Sequence, residues 1–198
     1  MKKLLAIAAI SVLAAGCGKS GSKPKAGSGD PGTSAVPAVT LIKTAPRILV
    51  EAEKPTHLEP PMKICDDVQA SGGRYAEAPE GPNHKEISKG GSATYEFEVA
   101  EPGAYVLWVR KNWCCGCGNS LTISVDGAAE LMFGGDATYG KWDWKRVTDP
   151  AKPGMPLTYS FTKGKHALKI GNREDGSKFD QVLFIQDDEY VPVTVEKP

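Results

Sequence analysis

Residues 94–109 read Thr-Tyr-Glu-Phe-Glu-Val-Ala-Glu-Pro-Gly-Ala-Tyr-Val-Leu-Trp-Val, and they indicate the fold class more clearly than any other stretch. In the first six residues polar and apolar side chains alternate, which is the period of a β-strand with one buried face. Glu101-Pro-Gly103 then predicts a turn, because proline and glycine favour turn conformations. Residues 105–109 are an apolar run of strand length, typical of a strand buried on both faces.

The same signals recur along residues 48–198. Further strands are predicted at residues 48–53, 121–125, 157–161, 166–170 and 179–185, with turns at Asp126-Gly127 and Lys163-Gly164. No window carries a helical stripe and no internal repeat occurs, and the 22 glycines and 15 prolines also disfavour helices. Many short strands separated by turns predict an all-β domain, a β-sandwich or jelly roll.

The charge balance argues against one class of partner. The 198 residues carry 24 basic and 24 acidic side chains, a net charge of zero. Nucleic-acid binding needs a concentrated basic surface, so we expect no nucleic-acid partner. The balance is uneven along the chain: residues 18–47 carry five basic side chains and one acidic (net +4), whereas residues 48–198 carry 17 basic and 23 acidic (net −6).

Residues 1–16 have the features of an export signal. Met1-Lys2-Lys3 precedes a mainly apolar run, residues 4–15. As a helix this run rises about 18 Å, well short of the roughly 30 Å hydrocarbon core of a bilayer. Residues 13–17, Leu-Ala-Ala-Gly-Cys, resemble the lipobox of bacterial lipoproteins.

That resemblance implies that Cys17 is lipidated, with palmitate among the expected acyl groups, and that these chains anchor the protein in the cell envelope. Gly18 in place of aspartate implies the outer membrane if the bacterium is Gram-negative, with the domain facing the periplasm or the exterior. The alternative is an ordinary cleaved signal followed by a chance cysteine. Beyond Cys17, residues 18–47 are rich in Gly, Ser, Pro, Lys and Ala and predict a flexible tether.

An ordered set of short motifs spans residues 48–192. In chain order it includes Val50-Glu-Ala-Glu53, Ala70-Ser-Gly-Gly-Arg-Tyr75, Pro102-Gly-Ala-Tyr105, Trp142-Asp-Trp144, Asn172-Arg-Glu-Asp-Gly176 and Phe179-Asp-Gln-Val182. This order resembles the galactose-binding-like jelly rolls typified by family 6 and family 35 carbohydrate-binding modules. The resemblance implies a carbohydrate ligand without identifying the sugar, because function resides in the loops of a shared scaffold.

Glu51 and Glu53 are candidate ligands for a cation. The two carboxylates are predicted to lie on the same side of the first strand, because side chains alternate with period two. Carboxylates held together repel unless they share a proton or a cation, and such oxygen ligands suit Ca²⁺. The resemblance implies a structural calcium held by Glu51, Glu53 and Asp180. The alternative is a polar strand face without a metal.

Sugar recognition commonly stacks aromatic rings on pyranose faces, with a few polar groups fixing the orientation. Trp113 is of particular interest because it lies in a polar, glycine-rich loop where burial looks difficult. The resemblance implies a sugar-binding asparagine at Asn172. The candidates are Tyr75, Trp113, Tyr139, Trp142, Trp144 and Asn172. For each tryptophan taken alone, core packing is the safer assumption, and Trp108 within its apolar strand is expected to belong to the core.

Four cysteines remain if Cys17 is lipidated: Cys65, Cys114, Cys115 and Cys117. In an exported protein disulfides are the default, and we expect Cys65 to tie its loop to the Trp113 loop, leaving one local pair or a free thiol. A direct Cys114–Cys115 bond is disfavoured by the short distance between adjacent Cα atoms. Zinc or Cu(I) binding by the cluster and a redox role are alternatives, although Cys115-Gly-Cys117 itself lacks the C-x-x-C spacing.

These patterns favour a non-catalytic carbohydrate-binding lipoprotein. The three histidines, His57, His84 and His166, are scattered and lie near no nucleophile, metalloprotease or phosphate-binding motif. Glu51 and Glu53 cannot act as a glycosidase pair, since neighbours on one strand cannot flank a scissile bond from two sides. The alternatives are a structural module that binds an envelope protein partner and a metal or thiol protein that uses the cysteine cluster.

Overall fold

The computed structural model describes residues 44–81 and 90–198, which belong to the compact unit Ile42–Pro198. The predicted signal, Cys17, most of the tether and His84 lie outside the described residues. The described chain contains twelve β-strands and one short 3₁₀ turn, Ser71–Gly73. The strands are β1 Arg47–Glu51, β2 His57–Glu59, β3 Lys63–Asp66, β4 Arg74–Glu77, β5 Ser92–Val99, β6 Gly103–Asn112, β7 Ser120–Val125, β8 Leu131–Gly134, β9 Asp143–Arg146, β10 Thr158–Phe161, β11 Gly164–Asn172 and β12 Lys178–Ile185.

Two antiparallel sheets pack face to face. The first sheet has the order β10-β6-β12-β4-β3, with β9 also pairing with β6 and β1 also pairing with β12. The second sheet has the order β2-β5-β11-β7-β8. This arrangement confirms the predicted all-β sandwich, and the long strand pair β6–β12 lies in the middle of the first sheet.

The alternation read from the sequence is reproduced in the strands. In β5, Tyr95 and Val99 are buried while Glu96 and Glu98 are exposed. In β6 both faces are buried: Leu107 belongs to the core between the sheets, and Trp108 to a cluster on the outer side of the first sheet. The core packing favoured for Trp108 is therefore confirmed.

Aromatic rings fill one part of the core between the sheets. Phe184 of β12 is fully buried and its ring stacks 5.2 Å from that of Phe97 on the opposite sheet. Phe161 lies 5.3 Å from Phe184 in an edge-on contact. Such offset and edge-to-face pairs add stabilisation beyond the burial of apolar area. The contact between Phe97 and Phe184 joins the two sheets directly.

The C-terminal strap, residues 186–198, covers the outer cluster of the first sheet. Tyr190 and Trp144 pack against the cluster that contains Trp108, and the Trp144 indole Nε1 donates to the Thr194 carbonyl over 2.7 Å. Gln181 and Glu196 exchange two hydrogen bonds: Gln181 Nε2 donates to the Glu196 carbonyl (3.0 Å), and the Glu196 amide donates to Gln181 Oε1 (2.9 Å). The strap is therefore held by backbone as well as side-chain contacts.

The first strand is shorter than predicted. It ends at Glu51, and a turn follows in which the Lys54 amide donates to the Glu51 carbonyl over 3.1 Å. Glu53 consequently lies in the turn and not on the strand. The expectation that Glu51 and Glu53 share one strand face is therefore wrong, because the two-residue period ends before Glu53.

The described residues include no helix of the length and apolarity required to cross a membrane.

Candidate functional site

Four loops converge at one end of the sandwich, called here the loop end: residues 67–73, 113–119, 135–142 and 173–177. Asn119 connects three of them, since its Nδ2 donates to the Asp136 carbonyl (3.2 Å) and its amide donates to Glu174 Oε2 (3.0 Å). The fourth loop is joined by Trp142, whose Nε1 donates to Asp67 Oδ2 over 2.9 Å. These cross-links give the loops fixed relative positions.

An aromatic cluster, defined by Tyr75, Trp142, Arg110, Lys178 and Asp67, lies at this end on the outer side of the first sheet. The rings of Tyr75 and Trp142 meet edge to face with centroids 5.4 Å apart. The Arg110 guanidinium lies 5.3 Å from the Trp142 ring centroid, and the Lys178 ammonium lies 5.3 Å from that of Tyr75. These are cation–π distances.

The contact between Tyr75 and Trp142 limits what the cluster can bind. Tyr75 is 7% exposed, whereas Trp142 is half-buried. Two rings that clamp a pyranose need a gap of about two van der Waals contacts, roughly 7 Å, between parallel faces. An edge-to-face pair at 5.4 Å leaves no such gap. A sugar could therefore contact the cluster only through the part of Trp142 that remains exposed.

The carboxyl group of Asp67 is held ionised beside these rings. The backbone amide of Gln69 donates to Asp67 Oδ1 over 2.8 Å and lowers the pKa of Asp67, and the Trp142 indole N–H lowers it further against the opposing effect of burial. The side chain therefore accepts hydrogen bonds at neutral pH, which fixes the orientation of the Trp142 ring.

Trp113 does not point into solvent as the polar character of its loop suggested. It is fully buried, packs against Phe133 with ring centroids 5.9 Å apart, and donates from Nε1 to Asp136 Oδ2 over 2.9 Å. Burial is possible because the Asp136 carboxylate satisfies the indole N–H. Trp113 is a structural residue, and its proposed role as a sugar contact is wrong.

Beneath the loop end lies a buried lysine that sequence reasoning missed. Lys111 is fully buried, and its Nζ lies 2.9 Å from Asp136 Oδ1 and 2.7 Å from Asp143 Oδ1. Burial alone would raise the pKa of Asp136, but hydrogen bonds from Lys111 and Trp113 outweigh it and hold that pKa well below 3.8. Strand alternation with Val109 would have placed Lys111 on the inward face.

The remaining sugar-contact candidates are dispersed. Tyr139 is joined to Trp113 by a backbone bridge, which places it at the loop end. It is 41% exposed and therefore accessible to a ligand. Trp144 packs under the C-terminal strap. Asn172 ends β11 in the other sheet and lines a polar groove of about 260 Å³ together with Glu59, Lys169 and other residues. The structure thus brings Tyr75 and Trp142 together, and places Asn172 in the opposite layer.

The predicted calcium ligands fit a cation only in part. Glu51 Oε2 and Glu53 Oε2 are buried and have no hydrogen-bond partner among the described residues, which is a donor set that a cation could use. Asp180 does not fit, because both of its oxygens accept from the Ser71 amide (2.9 and 3.0 Å) and one also pairs with Arg110. Within residues 44–81 and 90–198 no group of three or more His, Cys, Asp or Glu side chains is arranged to hold a metal.

A β-bulge explains the position of Asp180. The register of β12 against β6 shifts between Phe179 and Gln181, so Asp180 is an extra residue in its strand. A bulge redirects a side chain relative to simple alternation. Because of the bulge, Asp180 pairs with Arg110 while its neighbour Gln181 donates from Nε2 to Glu51 Oε1. The Arg110 guanidinium supplies the positive charge that balances the buried Asp180 carboxylate.

The cysteines pair differently from the expected arrangement. Cys115 and Cys117 form a disulfide, while Cys65 and Cys114 are free thiols. Cys65 lies in β3, and its Sγ donates to Glu77 Oε2 of the neighbouring strand over 3.2 Å. The predicted cross-link from Cys65 to the Trp113 loop is therefore wrong, because the register of β3 against β4 directs the thiol to Glu77.

We predict that Asp136→Asn lowers the free energy of unfolding by about 2 kcal/mol at neutral pH, because buried Lys111 then keeps only Asp143 as its counter-charge. The pKa of Asp136 is lower in the folded state than its ordinary value of 3.8. The ionised carboxylate therefore stabilises the folded state fully above pH 3.8, and this stabilisation is lost as the pH falls below that value. The loss should therefore be smaller at about pH 3 than at about pH 6. Urea unfolding at both pH values measures it.

The matched control is Asp66→Asn, since the Asp66 side chain is 92% exposed and its pair with Arg74 spans 3.5 Å. We expect a change within about 0.5 kcal/mol there. Equal losses for the two variants, or a loss at Asp136 that grows on acidification, would contradict the assignment.

Comparison with known proteins places the chain structurally. No family model matches the sequence. A curated relative, the uncharacterized protein P23 of Formosa agariphila, is 25% identical over 108 residues, which are 50% of this chain and 26% of that protein. This chain thus matches about a quarter of that relative's length.

Solved structures match a larger part of this chain than the curated relative does. The exo-β-1,3-galactanase of Phanerochaete chrysosporium in complex with galactose matches with a TM-score of 0.50 and 16% identity, over 71% of this chain and 29% of the enzyme. The Podospora anserina GH26-CBM35 β-(1,4)-mannanase matches with a TM-score of 0.51 and 13% identity, over 79% of this chain and 29% of that protein.

A third match covers a complete module. The C-terminal CBM6 of LamC, a marine laminarinase from Zobellia galactanivorans, matches with a TM-score of 0.52 and 14% identity, over 71% of this chain and 100% of the module. At this identity the likeness concerns the fold. The folded domain is a jelly roll like those of family 6 carbohydrate-binding modules.

Proposed function

We propose that this protein is a non-catalytic carbohydrate-binding lipoprotein that holds a glycan or a cell-wall polysaccharide at the bacterial envelope. The observation that carries the proposal is the aromatic cluster at the loop end, where the half-buried Trp142 is hydrogen-bonded to Asp67 and contacts Tyr75, over which Lys178 lies. A part-exposed aromatic surface bordered by a few polar groups is the arrangement that suits a sugar ring.

The site would bind by surface contact. The exposed part of Trp142 offers an apolar face for the C–H groups of a pyranose, and Lys178 offers a donor to hydroxyl or carboxylate groups at its edge. Tyr139 provides a second accessible ring at the same end. The groove lined by Asn172 is a separate polar surface on the other sheet.

The absence of catalysis is proposed on two grounds. One structural match covers the whole of the matched protein, and that protein is a carbohydrate-binding module, whereas the enzymes reported above are covered only in part. Glu51 and Glu53 also lie within one strand and its following turn, so they cannot approach a glycosidic bond from opposite sides.

We predict that Trp142→Ala weakens glycan retention about tenfold or more, since it removes the ring face on which the sugar packs. The full chain carrying Cys17→Ser, which prevents lipidation, is run in affinity gels containing β-1,3-galactan, laminarin or mannan. Met132→Ala is the control, because Met132 is an exposed apolar residue (56%) on β8 of the other sheet. Full retention by Trp142→Ala would refute the site, and failure of a wider glycan panel would favour a protein partner.

Calcium binding by Glu51 and Glu53 is proposed as a structural addition, in which the ion would neutralise two buried carboxylates. Millimolar Ca²⁺ should raise the Tm by about 5 °C or more if its concentration is about 100 times the Kd. Glu51→Gln and Glu53→Gln should abolish the increase, whereas Glu96→Gln, an exposed residue of β5, should retain it. An equal Tm in calcium and in chelator would remove calcium from the proposal.

Anchoring is proposed through Cys17, with the domain on the periplasmic or outer face of the envelope. Cells grown with labelled palmitate should incorporate label into the wild-type chain, and the Cys17→Ser chain should lose both label and membrane association. Two acyl chains are required for stable anchoring, because one chain binds only marginally. Label that persists in Cys17→Ser would exclude this residue as the attachment site.

A further inference from the structure

The loop Cys114–Cys117 has no part in the proposed glycan site, yet it holds three sulfur atoms close together. Cys115 and Cys117 form the disulfide, and Cys114 Sγ lies 3.4 Å from Cys115 Sγ. Cys115 has no thiol proton because its sulfur is in the disulfide. The hydrogen-bond donor in the contact between the two sulfurs is therefore the free thiol of Cys114.

The position of Cys114 Sγ is fixed by close backbone approach. A Cβ atom at Gly176 would lie 2.7 Å from this sulfur, and one at Gly118 would lie closer still, so both positions require glycine. The carbonyl oxygens of Gly118 (3.7 Å) and Asp175 (3.9 Å) are alternative acceptors for the single proton of the Cys114 thiol, and both lie farther from it than Cys115 Sγ does (3.4 Å). The backbone of two loops thus packs against one side of the Cys114 thiol and places it beside the disulfide, while the residue itself remains exposed.

Two donors converge on one sulfur of the disulfide. Cys115 Sγ accepts from the Cys114 thiol and from the backbone amide of Cys117, the latter over 3.2 Å. Donors stabilise a sulfur that gains negative charge when the S–S bond breaks, and a better-stabilised thiolate leaves faster. Cys115 is therefore the leaving sulfur, and the exposed Cys117 is the sulfur open to attack.

The surroundings of Cys114 suit a donor rather than a nucleophile. Partial burial raises the pKa of the Cys114 thiol, and the carboxylates of Glu80 and Asp175 raise it further. A thiol with a raised pKa stays protonated at neutral pH and reacts poorly as a nucleophile. Cys114 therefore keeps the proton with which it can stabilise the departing sulfur of Cys115.

We propose that Cys114, Cys115 and Cys117 form a thiol–disulfide exchange site that oxidises an accessible dithiol of a peptide or protein. A thiolate of the dithiol attacks Cys117 Sγ, forms a mixed disulfide and breaks the Cys115–Cys117 bond, whose electron pair goes to Cys115 Sγ. The second thiolate of the dithiol then attacks the substrate sulfur of the mixed disulfide. This attack closes a disulfide within the substrate and releases Cys117 as a thiolate. The dithiol loses two electrons and two protons, and Cys115 and Cys117 gain them.

The first experiment locates the attacked sulfur. The full chain carrying Cys17→Ser reacts briefly with 2-mercaptoethanol, is quenched in acid and is mapped by peptide mass spectrometry. We expect the mixed disulfide on Cys117. An adduct mainly on Cys115, or a loop that contains no disulfide in the protein recovered from export, would overturn the proposal.

The second experiment tests Cys114 with two matched variants. Under excess dithiothreitol, opening of the Cys115–Cys117 bond should slow about fivefold in Cys114→Ala, which has lost one hydrogen-bond donor. Cys114→Ser keeps an O–H donor and should recover most of the rate, and Cys65→Ala, a thiol remote from the loop, should leave the rate unchanged. The donor role would be refuted if the Cys115–Cys117 bond opened at the wild-type rate in Cys114→Ala. It would also be refuted if Cys114→Ser slowed the opening as much as Cys114→Ala does.

The third measurement follows the substrate. Incubation with a reduced peptide that contains two cysteines should give one equivalent of oxidised peptide per chain, detected as a mass loss of two hydrogens. Cys117→Ser should oxidise none. Peptide oxidation that persists in Cys117→Ser would show that the disulfide of this loop is not the oxidant, and would refute the exchange site.

Discussion

Two adjacent buried cations at the end of β6 organise the loop end of this protein. Arg110 points to the outer side of the first sheet and pairs with Asp180, while Lys111 points into the sandwich and pairs with Asp136 and Asp143. A buried charge is costly unless it is paired, so each cation requires its carboxylates in place. Those carboxylates come from a β-bulge, a loop and a neighbouring strand, and the loops are positioned as a result.

This constraint also explains why Trp113 is buried in the interior and Trp142 is only half-buried. Trp113 follows Lys111 into the interior, where Asp136 serves both residues. Trp142 remains on the other side, over Arg110, and keeps part of its ring exposed. The end of β6 and the first residue after it thereby supply an interior anchor, Lys111 and Trp113, and an outer support, Arg110, on which the Trp142 ring lies. The shared jelly-roll scaffold leaves this local charge pattern free to differ between proteins.

The sequence allowed the strands and the sandwich to be predicted because the hydrophobic pattern has a two-residue period wherever one face is buried. It did not predict features that depend on long-range partners. The burial of Trp113 depends on Asp136, 23 residues away, and the engagement of Asp180 depends on Arg110, 70 residues away. The free thiol of Cys65 likewise follows from strand register, which spacing does not reveal. Local periodicity cannot report which distant carboxylate satisfies a buried donor.

Arg47 joins the beginning and the end of the domain: its Nη1 lies 3.2 Å from Glu196 Oε2 and its Nη2 donates to the Lys197 carbonyl. β1 starts at this point and runs towards Glu51, beside Gln181 and the loop end. Tension between the preceding chain and a ligand at the loop end would therefore act along the axis of β1. The hydrogen bonds between β1 and β12 would bear the load together in shear instead of opening one at a time, which is the arrangement that best resists mechanical extraction of a strand.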